Sequence, residues 1–286
     1  MPFLLTFLCV LTLTVQSVAI KEYNKTSKDG PVTFSLMKVL VAFLFFLVMA
    51  IVNNAAFGTE VLPFSALFAL SYSCSMVGYV MAVGCGPLAI TAVVKSYALI
   101  IPTIFGVLVW GETLEVHQYI GFACILVSLF LVRGDNKDEK TKLSLKWLIF
   151  IIVSFFGEGF CSVTQKTQQK TFDGKYDASF MAISLAMVIA VFTVYVLIRE
   201  RKNLSNNLRA GLVPSLYGGI GNGATNLIVL AVPAVMLPAS VFFPVLSAGQ
   251  IIVTSILSVL VYKERLIPRQ VVAIILGVAA IVLLNV

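Results

Sequence analysis

Apolar residues along this chain gather into ten stretches of roughly 17 to 25 residues: 2–20, 34–53, 62–83, 87–109, 115–132, 146–165, 177–198, 210–231, 238–261 and 267–285. Each is long enough to cross the ~30 Å hydrocarbon layer of a bilayer as an α-helix. Pro63, Pro87, Pro238 and Pro268 lie near the starts of these stretches, where a missing N–H costs nothing, and Asn53-Asn54 and Asp173-Gly174 mark ends and turns. Pro102, Pro214 and Pro244 lie inside stretches and predict kinks whose freed carbonyls need a neighbouring group or cavity water. The expected fold is all-α and membrane-integral, with ten transmembrane helices. The first stretch lacks the basic segment and small-residue cleavage site of a signal peptide, so it is read as a span.

The pattern also repeats. Leu108-Val109-Trp110-Gly111-Glu112-Thr113-Leu114, then Gln118 and an apolar run, returns as Leu260-Val261-Tyr262-Lys263-Glu264-Arg265-Leu266, then Gln270 and an apolar run. Upstream, Ser17-Val18-Ala19-Ile20-Lys21 through Lys25 echoes Ser162-Val163-Thr164-Gln165-Lys166 through Lys170. Two echoes in the same order divide the chain into halves, 1–133 and 145–286, joined by a polar linker at 134–144. A duplicated unit with an odd number of spans gives two inverted five-helix repeats, an arrangement common among secondary transporters.

Composition agrees: 59% of residues are hydrophobic, only 12% are charged and the mean hydropathy is +1.01, too apolar for a soluble core. Counting lysine and arginine in alternate loops puts Lys21, Lys25, Lys28, Lys38, Arg133, Lys137, Lys140, Lys142, Lys146, Arg199, Arg201, Lys202, Arg209, Lys263, Arg265 and Arg269 on one side, and only Lys166, Lys170 and Lys175 on the other. The positive-inside rule makes the rich side cytoplasmic and both termini external. The net charge of +7 then reflects topology and contact with anionic membrane lipid, and no nucleic-acid partner is expected. The sequons at Asn24 and Asn203 fall on the cytoplasmic side and are expected to stay unmodified. The five cysteines lie in or beside apolar segments without metal-ligand spacing.

Ten spans in two halves, each half ending in a glutamate, a glutamine and a last span rich in small residues, resemble the EamA-like branch of the drug/metabolite transporter superfamily. Gly111-Glu112 with Gln118 and Gly121 fits the family pattern; the second copy departs from it, with Lys263 before Glu264 and Ala273 in place of the glycine. The resemblance covers the whole chain. It implies a metabolite carrier, often an exporter, in the bacterial cell membrane, with alternating access to a central cavity lined by the first, third, fourth, sixth, eighth and ninth spans.

Two ionisable residues lie deep in spans: Lys95, in Ala92-Val93-Val94-Lys95-Ser96-Tyr97, and Glu158, in Gly157-Glu158-Gly159. Facing one cavity, Lys95 would bind a substrate carboxylate or phosphate and Glu158 a proton or an amine. The alternative is that they neutralise each other as a structural pair. A carboxylate without a cation beside it would suit proton coupling, whereas one beside Lys95 would stay ionised. In the eighth span Asn222 and Asn226 share a helical face beside the small-residue pair Gly219 and Gly223, either toward substrate or as glue between helices. Gln16, Tyr97 and Gln250 are further substrate-site candidates, with Tyr72, Tyr79, Ser96 and Ser247 behind them. Glu112 and Glu264 are expected to cap the helix that follows each. His117 reads as an interfacial residue.

No Asp-rich motif, nucleophile with a base or nucleotide-binding motif is visible, so neither an enzyme nor a cofactor is expected. The reading is a secondary carrier of a small-molecule metabolite; a lipid flippase or a non-transporting scaffold would use the same architecture.

Overall fold

A computed structural model describes residues 2–27, 30–52, 57–110, 115–132, 144–173, 175–235 and 239–283. Helices account for its regular structure among these residues. The first half contributes α1 (Pro2–Thr26), α2 (Pro31–Val52), α3 (Leu62–Cys85), α4 (Leu88–Ser96), α5 (Ile100–Trp110) and α6 (Val116–Val132). The second contributes α7 (Leu145–Phe172), α8 (Asp177–Tyr195), α9 (Leu204–Val235), α10 (Ala239–Leu260) and α11 (Pro268–Leu283). The proposed linker at 134–144 lies almost wholly outside the described residues.

The ten long spans are matched in part. Five helical segments are long and apolar enough to cross a membrane: Leu4–Thr26, Pro31–Val52, Thr59–Cys85, Leu145–Phe172 and Asp177–Ile228. Leu88–Pro102, Ala248–Leu260 and Pro268–Leu283 are apolar but shorter. The 52-residue segment would measure about 78 Å if straight, yet it folds back on itself. At Val196–Glu200 it widens into a π-turn, then tightens into a 3-10 turn at Arg201–Asn203, with Glu200 leaving helical geometry at φ −107° and ψ 6°. The Glu200 carboxylate accepts from the α2 backbone amides of Val32 at 3.1 Å and Thr33 at 2.7 Å, which places this reversal at the start of α2. Phe180, Leu185, Val188, Phe192 and Val196 share a core with Val39, Ala42 and Phe46 of α2. From the same end α9 runs alongside α2, so one helix separates the two arms.

The halves interlock rather than sit side by side. α3 packs on α7 and α9 on α1, while α2 meets α8, α4 meets α10 and α6 meets α11. Exchanging α1 with α7, α2 with α8, α3 with α9, α4 with α10 and α6 with α11 turns the first contact into the second and each of the others into itself. That exchange symmetry is the one a duplicated chain produces when its halves embrace.

The repeated Glu and Gln acquire roles at the helix starts. Gln118 Oε1 accepts from the Glu115 backbone N–H at 3.0 Å, and Gln270 Oε1 from the Ile267 N–H at 3.2 Å. Both glutamines stand at the third helical position and satisfy the donor just before the helix, as the acidic member of a capping box does. Glu264 departs from expectation. It caps α4 of the other half, not the following α11, by accepting from Leu88 N–H at 3.1 and 2.9 Å. It also accepts from Ser258 and pairs with Lys21 Nζ at 2.7 Å. The reason is the interlocking: α4 follows Pro87 with an open amide, and the α10–α11 connection is the segment above it. Beside this junction Lys25 lies 4.5 Å from the Tyr262 ring centroid. Burial, and then the Glu22 carboxylate beside it, push the Tyr262 phenol above its usual pKa. Glu112, the first-half counterpart of Glu264, lies outside the described residues.

Candidate functional site

Lys95 owes its position to a helix break. α4 ends at Ser96, a 3-10 turn spans Tyr97–Leu99, and α5 resumes at Ile100. Pro102 has no N–H for the Ala98 carbonyl and its ring crowds that oxygen, which is why the backbone tightens at this point. Lys95 therefore stands in the last turn of α4, where the helix dipole favours a cation.

Glu158 owes its position to two glycines. A Cβ on Gly157 would lie 2.5 Å from Ser75 N and 2.7 Å from Ser71 O, and one on Gly78 would lie 2.8 Å from Phe150 O and 2.9 Å from Ser154 N. α3 and α7 thus cross antiparallel with their backbones almost touching. This crossing sets Ser75 against Glu158, whose Oε2 accepts from Ser75 Oγ at 2.5 Å. Lys95 Nζ lies 3.5 Å from the same oxygen and 4.5 Å from the Tyr79 ring centroid. Tyr79 OH is 3.2 Å from Ser17 Oγ of α1. The Lys95 and Glu158 side chains are 25% and 40% exposed, so the pair opens onto space and is not sealed in packed core.

Three faces of α9 organise the surround, since a helix turns about 100° per residue. Gly218, Gly221 and Thr225 face α1: a Cβ on Gly218 would meet Ala19, one on Gly221 would meet Thr12 O, and Thr225 Oγ1 is 2.8 Å from Thr12 Oγ1. Gly219 and Gly223 face α2, against Val41 and Phe45. Between these stripes Asn222 reaches α3, donating to Tyr72 OH at 2.8 Å, and Asn226 donates to Asn222 Oδ1 at 2.7 Å. The small-residue pair brings α9 close to α2, and the amides take part in contacts between helices.

The remaining candidates fall in different places. Gln16 Nε2 donates to Thr225 Oγ1 at 3.0 Å, on the α1–α9 seam. Gln250 is half-buried on α10. Tyr97 is fully buried and turned from the Lys95–Glu158 pair: its hydroxyl bonds Ser128 of α6, which donates to Ala273 O of α11 at 2.8 Å. It holds the α6–α11 contact to the broken helix. Ser96 Oγ donates back to Ala92 O at 2.9 Å, and the Ser247 side chain lies outside the described residues.

Lys38 corrects the sequence reading. Counted above among the loop cations, it is buried within α2 at 5% exposure and lies within electrostatic reach of both Lys95 and Glu158. The signal was Pro31: a proline at the first helical position starts α2 three residues earlier than the apolar run at 34, which carries Lys38 two turns into the bundle. Ser75 was missed because a serine inside a small-residue stretch has no pattern of its own.

The helices and their charged centre define an integral, multi-pass membrane protein of two interlocked halves with ionisable groups where the halves meet. The chain belongs to the EamA-like transporter family, whose model matches residues 1–134 and 145–286. Membership makes it a membrane transporter of small molecules. One solved crystal structure, described only as that of a protein, shares the fold with a TM-score of 0.56 at 13% identity, over 98% of this chain and 94% of its own. No curated protein matches the chain.

Proposed function

We propose that this protein is a secondary exporter of small metabolites. Ten helices form two inverted repeats, 1–133 and 145–286, which rock around a site at Lys95 and Glu158 and expose it alternately to each side. Both termini face outward across a bacterial cell membrane. A reporter fused to the C-terminus is expected to be active outside the cytoplasm; activity confined to the cytoplasm would reverse the orientation. The observation that carries the reading is the pair itself: Lys95 of the first half and Glu158 of the second lie 3.5 Å apart at the junction between halves, with part of each side chain open. A charged contact made across two moving bodies is one that substrate entry can break. In this reading Asn222, Asn226, Gln16 and Gln250 offer hydrogen-bonding groups to the substrate, and a proton taken by Glu158 when Lys95 turns to substrate would couple transport to a pH gradient.

The test is flux in proteoliposomes for amino acids, other carboxylates and cationic amphiphiles, with and without a pH gradient. Lys95→Ala is expected to lower flux at least about tenfold, the effect of losing one charge-assisted contact. Glu158→Gln is expected to lose the response to the gradient. Unchanged flux in both variants would remove the site and leave the family assignment standing. No flux for any compound would favour a lipid flippase or a scaffold.

A further inference from the structure

We propose that Lys38 and Lys95 together hold an anionic group of the transported compound, a carboxylate or a phosphate, with Lys38 supplying the cation that the protein itself leaves uncompensated. The inference deepens the transporter reading and rests on it. It starts from charge balance: with both lysines protonated the cluster holds two ammonium groups and one carboxylate, and a bound anion would hold Lys38 in that charged form. Glu158 is already engaged by Lys95 and Ser75. Among the described residues Lys38 forms neither an ion pair nor a side-chain hydrogen bond, although it is 5% exposed. Buried charges are normally paired.

The helices packed on α2 offer Lys38 no other anion. These are chiefly α3, α8 and α9. The sequences of α3 and α9 contain no acidic residue, and α8 has only Asp177, its first residue. Glu200, at the α2 N-terminus, is taken up by Val32, Thr33 and the Thr33 hydroxyl. The Lys38 stem is also held in place. A Cβ on Gly218 would stand 3.9 Å from Lys38 Cδ, and one on Gly219 would meet the Lys38 carbonyl at 2.8 Å, so α9 runs against α2 along the lysine. The lysine is 5% exposed and lies within electrostatic reach of Lys95 and Glu158. Tyr72, Tyr79 and Asn222 add neutral hydrogen-bonding groups around this space without altering its charge.

An anion placed between the two lysines would complete the balance and would compete with Glu158 for Lys95. A cationic substrate would face two ammonium groups and one carboxylate already paired. The site therefore selects against cations by repulsion as well as for anions by attraction.

The test reads binding, so that its failure is distinct from failure of the transport reading. Thermal unfolding of the purified protein in detergent is followed with acetate, succinate, citrate, inorganic phosphate and glycerol phosphate. Succinamide and 1,4-diaminobutane serve as the neutral and cationic controls. At least one anion is expected to raise the unfolding temperature, with no response to the amide or the diamine. Lys38→Met is expected to weaken that anion at least about tenfold, the loss of one charge-assisted contact. Lys38→Arg is expected to restore most of the affinity, which separates loss of the charge from loss of the fold. Stabilisation by the diamine, no response to any anion, or anion binding undiminished in Lys38→Met would overturn the proposal. Anion binding that depends on Lys38 in a protein that moves none of these compounds would keep the site and sink the carrier. Flux of cationic amphiphiles without anion binding would do the reverse.

Discussion

Gly157→Leu is expected to be the most damaging single substitution in this chain. The new side chain would start within 3 Å of backbone atoms of Ser71 and Ser75, and backbone cannot rotate aside as a side-chain tip can. α3 and α7 would have to separate over the contact that joins the halves. Overpacking typically costs 1–3 kcal/mol, and a backbone clash belongs at about 3 kcal/mol or above. The consequence is also functional, because the same crossing sets Ser75 beside Glu158. Thermal unfolding and flux should fall together. Gly84→Ala is the control: the atoms nearest its Cβ would be those of the Asn24 side chain, at 3.2 Å or more, and near-native stability is expected. A Gly157→Leu protein that unfolds at the wild-type temperature would show that the helices do not cross where described.

The second large effect separates structure from function at the charged pair. Lys95→Met and Glu158→Met are each expected to destabilise, since removing one member leaves the other short of a partner. Breaking a fully buried pair costs 3–5 kcal/mol, but these side chains are 25% and 40% exposed, which reduces the expected loss to about 1–3 kcal/mol. The double variant should recover most of that stability, because two well-packed apolar groups replace the pair without an orphaned charge. Flux should not recover. Losses that simply add in the double variant would mean the two groups do not interact, and full flux in it would reduce the pair to a structural contact. A charge swap, Lys95→Glu with Glu158→Lys, would sharpen the result: the pair can re-form, while the cation that meets substrate has changed helix.

Residue patterns set the class and the coarse plan. Long apolar stretches, sparse charge and two ordered echoes yielded a membrane-integral helical protein in two halves, because bilayer thickness leaves few other uses for such segments. Lys95 and Glu158 were legible for the same reason: a charge in the middle of an apolar stretch is expensive wherever the helix turns. The capping glutamines were visible as a repeat before their bonds were known. Pro102 announced a break in the fourth span, which the structure locates at Tyr97–Leu99.

Other features depend on which helices meet, and a one-dimensional pattern carries no such information. Gly157 and Gly78 are ordinary small residues until α3 and α7 cross on them. Tyr97 stands two residues from Lys95 in the chain, yet it bonds Ser128 on the opposite side because the helix turns between them. Lys38 stands near the start of the 34–53 stretch and was counted with the cations at its end, and only the packing of α9 against α2 shows it buried. Glu264 caps a helix more than 170 residues earlier in the chain, a partner supplied by the interlocking of the halves. The sequence by itself determined the solvent, the duplication and two of the three charges of the cluster, Lys95 and Glu158, since those follow from transfer cost and periodicity. The tertiary structure decided how the charges are balanced, because that depends on distances between helices that the sequence leaves open.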